Sequence, residues 1–201
     1  MIDDLDKTLE TLLKKELPRE LVEQVSITFA SPDEQFPPSS VSLPAIDLFL
    51  YDVRENRNLR TNEWILETNG DGTGRKRLAP VRVDCSYLIT AWANASSQKA
   101  AQEEHGLLGE VMRVVLRHPI IGSEFLQGEL RGQEPDMPAV SIQPGHLQSL
   151  AEFWQALGGK PKAALNYTVT LALEPFKPVS VGKLVTGKGL QFGDSQQEQT
   201  G

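Results

Sequence analysis

Two long strand patterns and the helix that follows them constrain the fold of this chain more than any other feature. Residues 46–54 and 79–92 alternate at the two-residue period of a pleated strand. Residues 99–118 then place apolar side chains along one face of a helix. The pattern predicts that the second strand is central and buried on one face, while the opposite, open face carries Arg82, Asp84, Ser86 and Thr90.

The other elements follow from weaker patterns. An amphipathic pattern predicts a first helix that Pro18 closes. The remaining predicted elements are short strands at 25–29, 124–130 and 139–142, a helix at 144–157 ending at Gly158-Gly159, and a strong strand at 163–174. Residues 55–80 are polar and glycine-rich, which predicts a mobile connection with a short strand at 64–66. Since strands and helices mix irregularly, the predicted fold class is α+β, with a mixed, mostly antiparallel sheet flanked by helices.

The composition changes after Glu174, which predicts a body at 1–174 and an extended, flexible C-terminal arm at 175–201. The arm mixes apolar residues with glycines, too few for a core but enough to add a strand to an exposed sheet edge. The residues predicted to make this contact are Val179, Val181, Leu184 and Val185. Lys177, Lys183 and Lys188 are predicted to steer the arm toward an acidic partner.

The formal charge is −7, from 20 basic and 27 acidic side chains. This charge argues against a general affinity for nucleic acid or anionic lipid. No apolar run approaches the roughly 20 residues that cross a bilayer, so direct membrane insertion is not expected. The N-terminus lacks the basic and apolar regions of a secretory signal, which predicts a cytoplasmic location. The single cysteine, Cys85, excludes an internal disulfide framework.

No catalytic, metal or cofactor signature emerges from the residue types that carry such chemistry. The histidines are far apart and share no metal-ligand spacing with one another or with Cys85. The glycine loop at 69–74 resembles the start of a calcium loop, but Pro80 stands where a bidentate glutamate is needed. No segment has the full order of a phosphate-binding loop. We therefore predict no cofactor, no metal and no catalytic residue.

Isolated reactive side chains have structural explanations. Alternation places Cys85 on the apolar face of its strand, which predicts an inert, buried thiol. Asp47, Asp52 and Asp84 are open to two interpretations, acid/base carboxylates or solvated charges on strand faces and edges. The tryptophans are interpreted as core or interface anchors; they are Trp64, Trp92 and Trp154.

Four separated segments carry a resemblance to a known family. They read LFLYDVRENRNLR, APVRVDCSYLITAW, HGLLGEVMRVVLRHPII and LAEFWQALGGKPKAALNYTVTLAL, in this order along the chain. Together they resemble the N-terminal domain of the cap, or tail-terminator, proteins of contractile injection systems. These systems are phage-tail-like particles built from an inner tube and a contractile sheath. The resemblance spans nearly the whole body, from the first helix to Glu174.

The resemblance implies a tail-terminator-like fold and a structural role without catalysis. It implies a homohexameric ring that terminates the inner tube, and sheath protein as the partner of the arm. Two alternatives stay open at this point. One is a terminator of a true phage tail joined to a head, and the other is a small hydrolase or ligand-binding domain that uses Asp84 and His118.

Overall fold

The computed structural model describes residues 1–33, 35–68, 73–94, 96–142, 150–158 and 161–183. The chain divides into two compact units. Unit 1 consists of Met1–Arg60 and Pro80–Leu173, and unit 2 consists of Thr61–Ala79 with the segment from Glu174 onward. This grouping places 61–79 with the C-terminal segment, which the sequence interpretation did not anticipate. The predicted domain boundary at 174/175 stays a prediction.

The helices and strands are numbered along the chain. They are α1 (Ile2–Glu16), α2 (Arg19–Val22), β1 (Ser26–Thr28), β2 (Ala45–Glu55), β3 (Trp64–Thr68), β4 (Thr73–Leu78), β5 (Val81–Trp92), α3 (Ala100–Arg117), β6 (Ile120–Ile121), β7 (Met137–Ser141), α4 (Leu150–Ala156), β8 (Ala164–Leu173) and β9 (Val179–Lys183). The long elements β2, β5, β8, α1 and α3 confirm the strongest sequence patterns. Of the predicted helix at 144–157, the part before Leu150 lies outside the described residues.

Unit 1 is built on a six-stranded sheet in the order β1-β2-β5-β8-β7-β6. Strand β1 runs parallel to β2, while the remaining neighbours are antiparallel. The longest pairings join β5 to β2 on one side and to β8 on the other. This confirms the predicted α+β class with a mixed, mostly antiparallel sheet.

Helices α1 and α3 cover the first face of this sheet. Leucines at helical spacing in α1 and valines in α3 are buried against alternate residues of β2, β5 and β8. The buried set includes Leu5, Leu9, Leu12, Val111, Val114, Ile46, Leu48, Cys85, Tyr87, Ile89 and Val169. Each such aliphatic side chain contributes roughly 1.5–3 kcal/mol when it leaves water, so this face holds the main core.

The second face of the sheet is also buried over β2 and β5, so the prediction of an open polar face was wrong there. Ser86, Leu88 and Thr90 are at most 1% exposed. Helix α4 supplies part of the cover, since the ring of Phe153 lies 6.0 Å from that of Phe49 on β2. The neighbouring Trp154 is 1% exposed, which confirms its predicted role as a core anchor.

Two other segments differ from the sequence prediction. No strand forms at 124–130; the chain turns instead, with the Phe125 amide donating to the Gly122 carbonyl, and a short 3-10 helix follows at Gly128–Leu130. The Gln127 amide donates to the Thr8 hydroxyl at 3.0 Å, which ties this turn to α1. The predicted strand at 139–142 is confirmed as β7.

Unit 2 contains a three-stranded antiparallel sheet in the order β3-β4-β9. The predicted short strand at 64–66 is confirmed as part of β3. Strand β4, by contrast, runs through the basic triplet Arg75-Lys76-Arg77, a segment that was interpreted as part of a mobile connection. Its partner across the sheet is the segment predicted to be a free arm.

Candidate assembly surfaces

One face of the unit 2 sheet is apolar and exposed. Cross-strand pairs Leu66–Lys76 and Lys76–Val179 place these side chains on the same face, together with Trp64 two residues along β3. The exposed fractions are 53% for Trp64, 56% for Leu66 and 50% for Val179. We call these four residues the aromatic-lysine face.

The ammonium group of Lys76 lies over the Trp64 ring, 4.7 Å from its centroid. This distance is within the range of a cation-π contact, which holds both side chains in one orientation. The face therefore presents an exposed aromatic ring with a positive charge held against it. Exposed tryptophan is enriched where proteins bind one another, and the lysine charge beside it would favour a partner of opposite charge.

The opposite face of the same sheet explains why a basic triplet forms a strand. Arg77 Nε lies 2.7 Å from one Glu67 oxygen, and Arg75 Nε lies 2.6 Å from the other. Arg77 also reaches Glu174 at 2.8 Å. The guanidinium groups of Arg77 and Arg75 hold the pKa of the Glu67 carboxyl below its ordinary value. Acids on the neighbouring segments thus neutralise the two arginines, so the polar segment that was interpreted as a mobile connection can form a strand.

The residues predicted to bind a partner through the arm fall partly inside the described chain. Val179 and Val181 lie in β9, which pairs with β4 at Lys76–Val179 and Arg75–Ser180. Lys177 precedes this strand and Lys183 ends it. Leu184, Val185 and Lys188 lie outside the described residues. The segment does add a strand to a sheet edge, and the edge seen here belongs to its own chain.

The sheet of unit 1 separates the two residues that a hydrolase interpretation requires. Asp84 lies on the second face, where it accepts hydrogen bonds from Thr170 Oγ1 at 2.7 Å and from Asn56 Nδ2 at 3.0 Å. His118 packs on the helix-covered face, with Nε2 3.2 Å from Glu16 Oε2 and its ring edge-on to Phe125. The two residues therefore do not share a catalytic cleft.

Cys85 is fully buried on the first face of the sheet, as predicted. Burial raises the pKa of its thiol to about 11. A thiol with this pKa carries almost no thiolate near neutral pH, and no reagent reaches it through the packed core.

Asp47 is buried, which does not fit the interpretation as a solvated charge, one of the two left open for it. Its side chain is 0% exposed on β2, and its carboxyl group has a weak contact with the backbone of Ala30 rather than a hydrogen bond of normal geometry. Burial raises its pKa to about 8, although the nearby backbone of Ala30 lowers it in part. Asp52, in contrast, pairs with Arg54 at 2.5 Å. Among the described residues, Asp47 belongs to no cluster of His, Cys, Asp or Glu side chains that could hold a metal ion.

The described residues also lack the groups that would mark other kinds of site. No cluster of three or more His, Cys, Asp or Glu side chains has metal-binding geometry there. Among the described helices, none is long and apolar enough to cross a membrane. The surfaces that remain as candidates are those suited to binding other proteins.

Comparison with a family model identifies the protein family of this chain. The model described as the Pvc16 N-terminal domain matches residues 4–186. The chain belongs to this family. The Pvc16 N-terminal domain thus accounts for nearly all of the sequence, including unit 2 through β9. No curated protein matches the chain.

Two solved structures share the fold of this Pvc16 N-terminal domain. One is the sheath/tube terminator of an extracellular contractile injection system, PVC, in its extended state, with a TM-score of 0.64 and 22% identity over 99% of this chain. The other is the tube-terminating cap of the anti-feeding prophage, with a TM-score of 0.62 and 23% identity over 96% of this chain. The chain spans 65% and 61% of these two proteins.

The sequence interpretation missed the aromatic-lysine face. Trp64 was assigned to a core or interface, and its 53% exposure favours the interface. A period-two pattern at Trp64 and Leu66 was visible, but without β4 and β9 it did not indicate a paired sheet. The sequence does contain one signal for the pairing of β3 with β4. Glu67 and the basic triplet carry opposite charges, and their attraction favours two adjacent strands.

Proposed function

We propose that this Pvc16 N-terminal domain is the structural cap of a contractile injection system. In this proposal a ring of copies, most simply a hexamer, ends the inner tube and binds the last sheath layer. The family membership carries the proposal, and the two structures with a similar fold, a sheath/tube terminator and a tube-terminating cap, support it. The chain would act within a particle assembled in the cytoplasm.

Termination by a ring requires binding geometry and no chemistry. A growing tube presents a repeated surface, and a closed ring with one matching face and no second one stops its growth. A hexamer would match a tube of the same rotational symmetry without strain between layers. The separation of Asp84 from His118 and the burial of Cys85 support a role without catalysis.

The position of the chain on the particle tests this proposal. Particles purified from cells that encode the chain should carry it at one end only, opposite the baseplate, and image averages of that end should show a closed ring. Cells without the gene should produce tubes and sheaths of irregular length. Particles of uniform length that lack the chain would contradict the proposal, and a head attached at its position would favour the phage-tail alternative.

The segment after Pro175 is proposed to bind the sheath. Val179 and Val181 already form a strand with β4, so the segment has the backbone conformation that strand addition to a sheath edge requires. Leu184 and Val185 would extend that contact, and the lysines at 177, 183 and 188 would attract an acidic sheath surface.

Two truncations test the sheath contact. Deletion of 184–201 retains β9, whereas deletion of 176–201 removes it and exposes the edge of β4. Both shortened chains should still form a ring on the tube, because the core of unit 1 and the Trp64 and Lys76 side chains of β3 and β4 remain in both. With the longer deletion, either the last sheath layer should be disordered or the length of the sheath should vary between particles. A fully ordered last layer after that deletion would show that the segment has another role.

A further inference from the structure

Unit 1 contains an apolar groove that its own side chains leave open. The groove lies between α2 with the residues that follow it and one side of α3, and its volume is about 430 Å³. Its lining consists of Leu21, Gln24, Val25, Pro44, Glu103, Gly106, Leu107 and Glu110. Neighbouring apolar side chains form the floor, and carboxylates stand at the rim.

The α3 side of the groove is a single helical stripe. Glu103, Gly106, Leu107 and Glu110 follow the spacing i, i+3, i+4 and i+7, which aligns them along one face. Gly106 stands in the middle of this stripe. A Cβ atom added there would meet no atom within 4 Å. A glycine in a helix interior costs roughly 0.5–1 kcal/mol relative to alanine, and packing within the chain does not require it here.

The charge of the rim favours a cationic occupant. Glu110 pairs with Arg113 on the same helix. Glu103 accepts a hydrogen bond from the Ser97 hydroxyl at 2.6 Å, and it has no cation partner among the described residues. The groove thus offers an apolar floor with one uncompensated carboxylate beside it.

The aromatic-lysine face of unit 2 has the complementary chemistry. Trp64 would supply an aromatic ring to the apolar floor, and Lys76 would supply a cation to Glu103.

The net charges of the two units favour the same pairing. Six of the 20 basic and six of the 27 acidic side chains lie in 61–79 and 174–201, so the formal −7 belongs to unit 1. Repulsion between acidic bodies falls when each contact uses a neutral unit.

We propose that the groove of one copy binds the aromatic-lysine face of a second copy. Such a contact joins two different surfaces, so each copy offers one groove and one face to its two neighbours. Heterologous contacts of this kind close into rings when the rotation between copies allows it. The inference rests on the proposed function, because it assigns the surfaces that hold the cap ring together.

Filling the groove is the first test. Gly106→Leu places a side chain in open space at an exposed position of α3, so the variant should fold while its groove is blocked. Gly109→Leu is the matched control, since a Cβ there also meets nothing within 4 Å and this residue does not line the groove. Circular dichroism and thermal unfolding of the full chain confirm that both variants are folded.

The readout is the fraction of closed rings, measured by native mass spectrometry of concentrated protein and by imaging of particle ends. Gly106→Leu should lower that fraction by at least about tenfold, while Gly109→Leu should change it by less than about twofold. Wild-type ring levels in Gly106→Leu, or equal losses in both variants, would overturn the inference. Rings that form in Gly106→Leu but no longer attach to the tube would also overturn it, since the groove would then bind tube protein.

Charge reversal is the second test and identifies the partner residue. Glu103→Lys alone and Lys76→Glu alone should each reduce ring formation, because both place like charges together. The double variant should recover most of the loss. Failure of the double variant to recover, with each single variant impaired, would show that these residues do not meet. A wild-type chain that forms no ring in either preparation would overturn the proposed function itself.

Discussion

Asp47 is predicted to make the stability of the protein fall as the pH rises. Its carboxyl group is fully buried on β2 with a weak backbone contact to Ala30, and burial raises its pKa to about 8. In the unfolded chain the same group titrates near 4. Between these values the folded state binds the extra proton, so the free energy of unfolding decreases as the pH increases through this window.

Asp47→Asn keeps the shape of the side chain and removes the titration. Each pH unit inside the window is worth about 1.36 kcal/mol, so between pH 5 and pH 8 the variant should gain about 4 kcal/mol relative to the wild-type protein. This gain is a large part of the roughly 5–15 kcal/mol that stabilises a typical domain. The comparison between the two proteins cancels the other titrating groups, which are common to both.

Urea unfolding at several pH values between 5 and 8 measures this difference. Asp136→Asn is the control, since Asp136 is exposed and only its backbone carbonyl accepts a described hydrogen bond, from Arg82. That variant should follow the wild-type curve. If the free-energy difference between Asp47→Asn and wild type is the same at every pH, the buried carboxyl does not titrate in this window and the reasoning is refuted.

Two substitutions test other contacts of unit 1 by urea unfolding at constant pH. Tyr87→Phe removes the hydrogen bond that the buried hydroxyl donates to Asp6 at 2.8 Å, and should cost about 1–2 kcal/mol; an unchanged midpoint would contradict this. Gly128→Ala should cost more than about 1 kcal/mol, because φ is +54° and the new Cβ would lie 2.2 Å from the Asp4 carboxylate. Gly132→Ala, at φ +74° with open space around it, should cost less.

Local periodicity predicted the helices and strands whose apolar pattern is complete within a single segment of the chain. The α1 leucines and the apolar alternation of β5 are each visible within one element, and the structure confirms both. The cover over the second face of the sheet comes in part from Trp154 and Phe153, far from β5 in sequence. Alternation indicates which residues share a face of a strand, but it does not indicate what packs on that face.

Charge and turn chemistry account for the errors in the short elements. The basic triplet in β4 looked like a loop because its neutralising acids, Glu67 and Glu174, lie on other strands or segments. The apolar residues Phe125 and Leu126 suggested a strand, but they are buried in a turn that is tied to α1 through Thr8. In both cases contacts distant in sequence overrode the local pattern.

An assembly protein binds its partners through the surfaces that its own fold leaves uncovered. In unit 1 both faces are buried along Ala45–Leu48 of β2 and Cys85–Ala91 of β5, so substitutions there should change stability rather than assembly. The groove beside Gly106 and the exposed Trp64 are different, because little of the chain's own packing depends on them. Substitutions at these two positions should therefore change assembly without lowering the free energy of unfolding. This separation of effects would distinguish a binding surface from a structural defect.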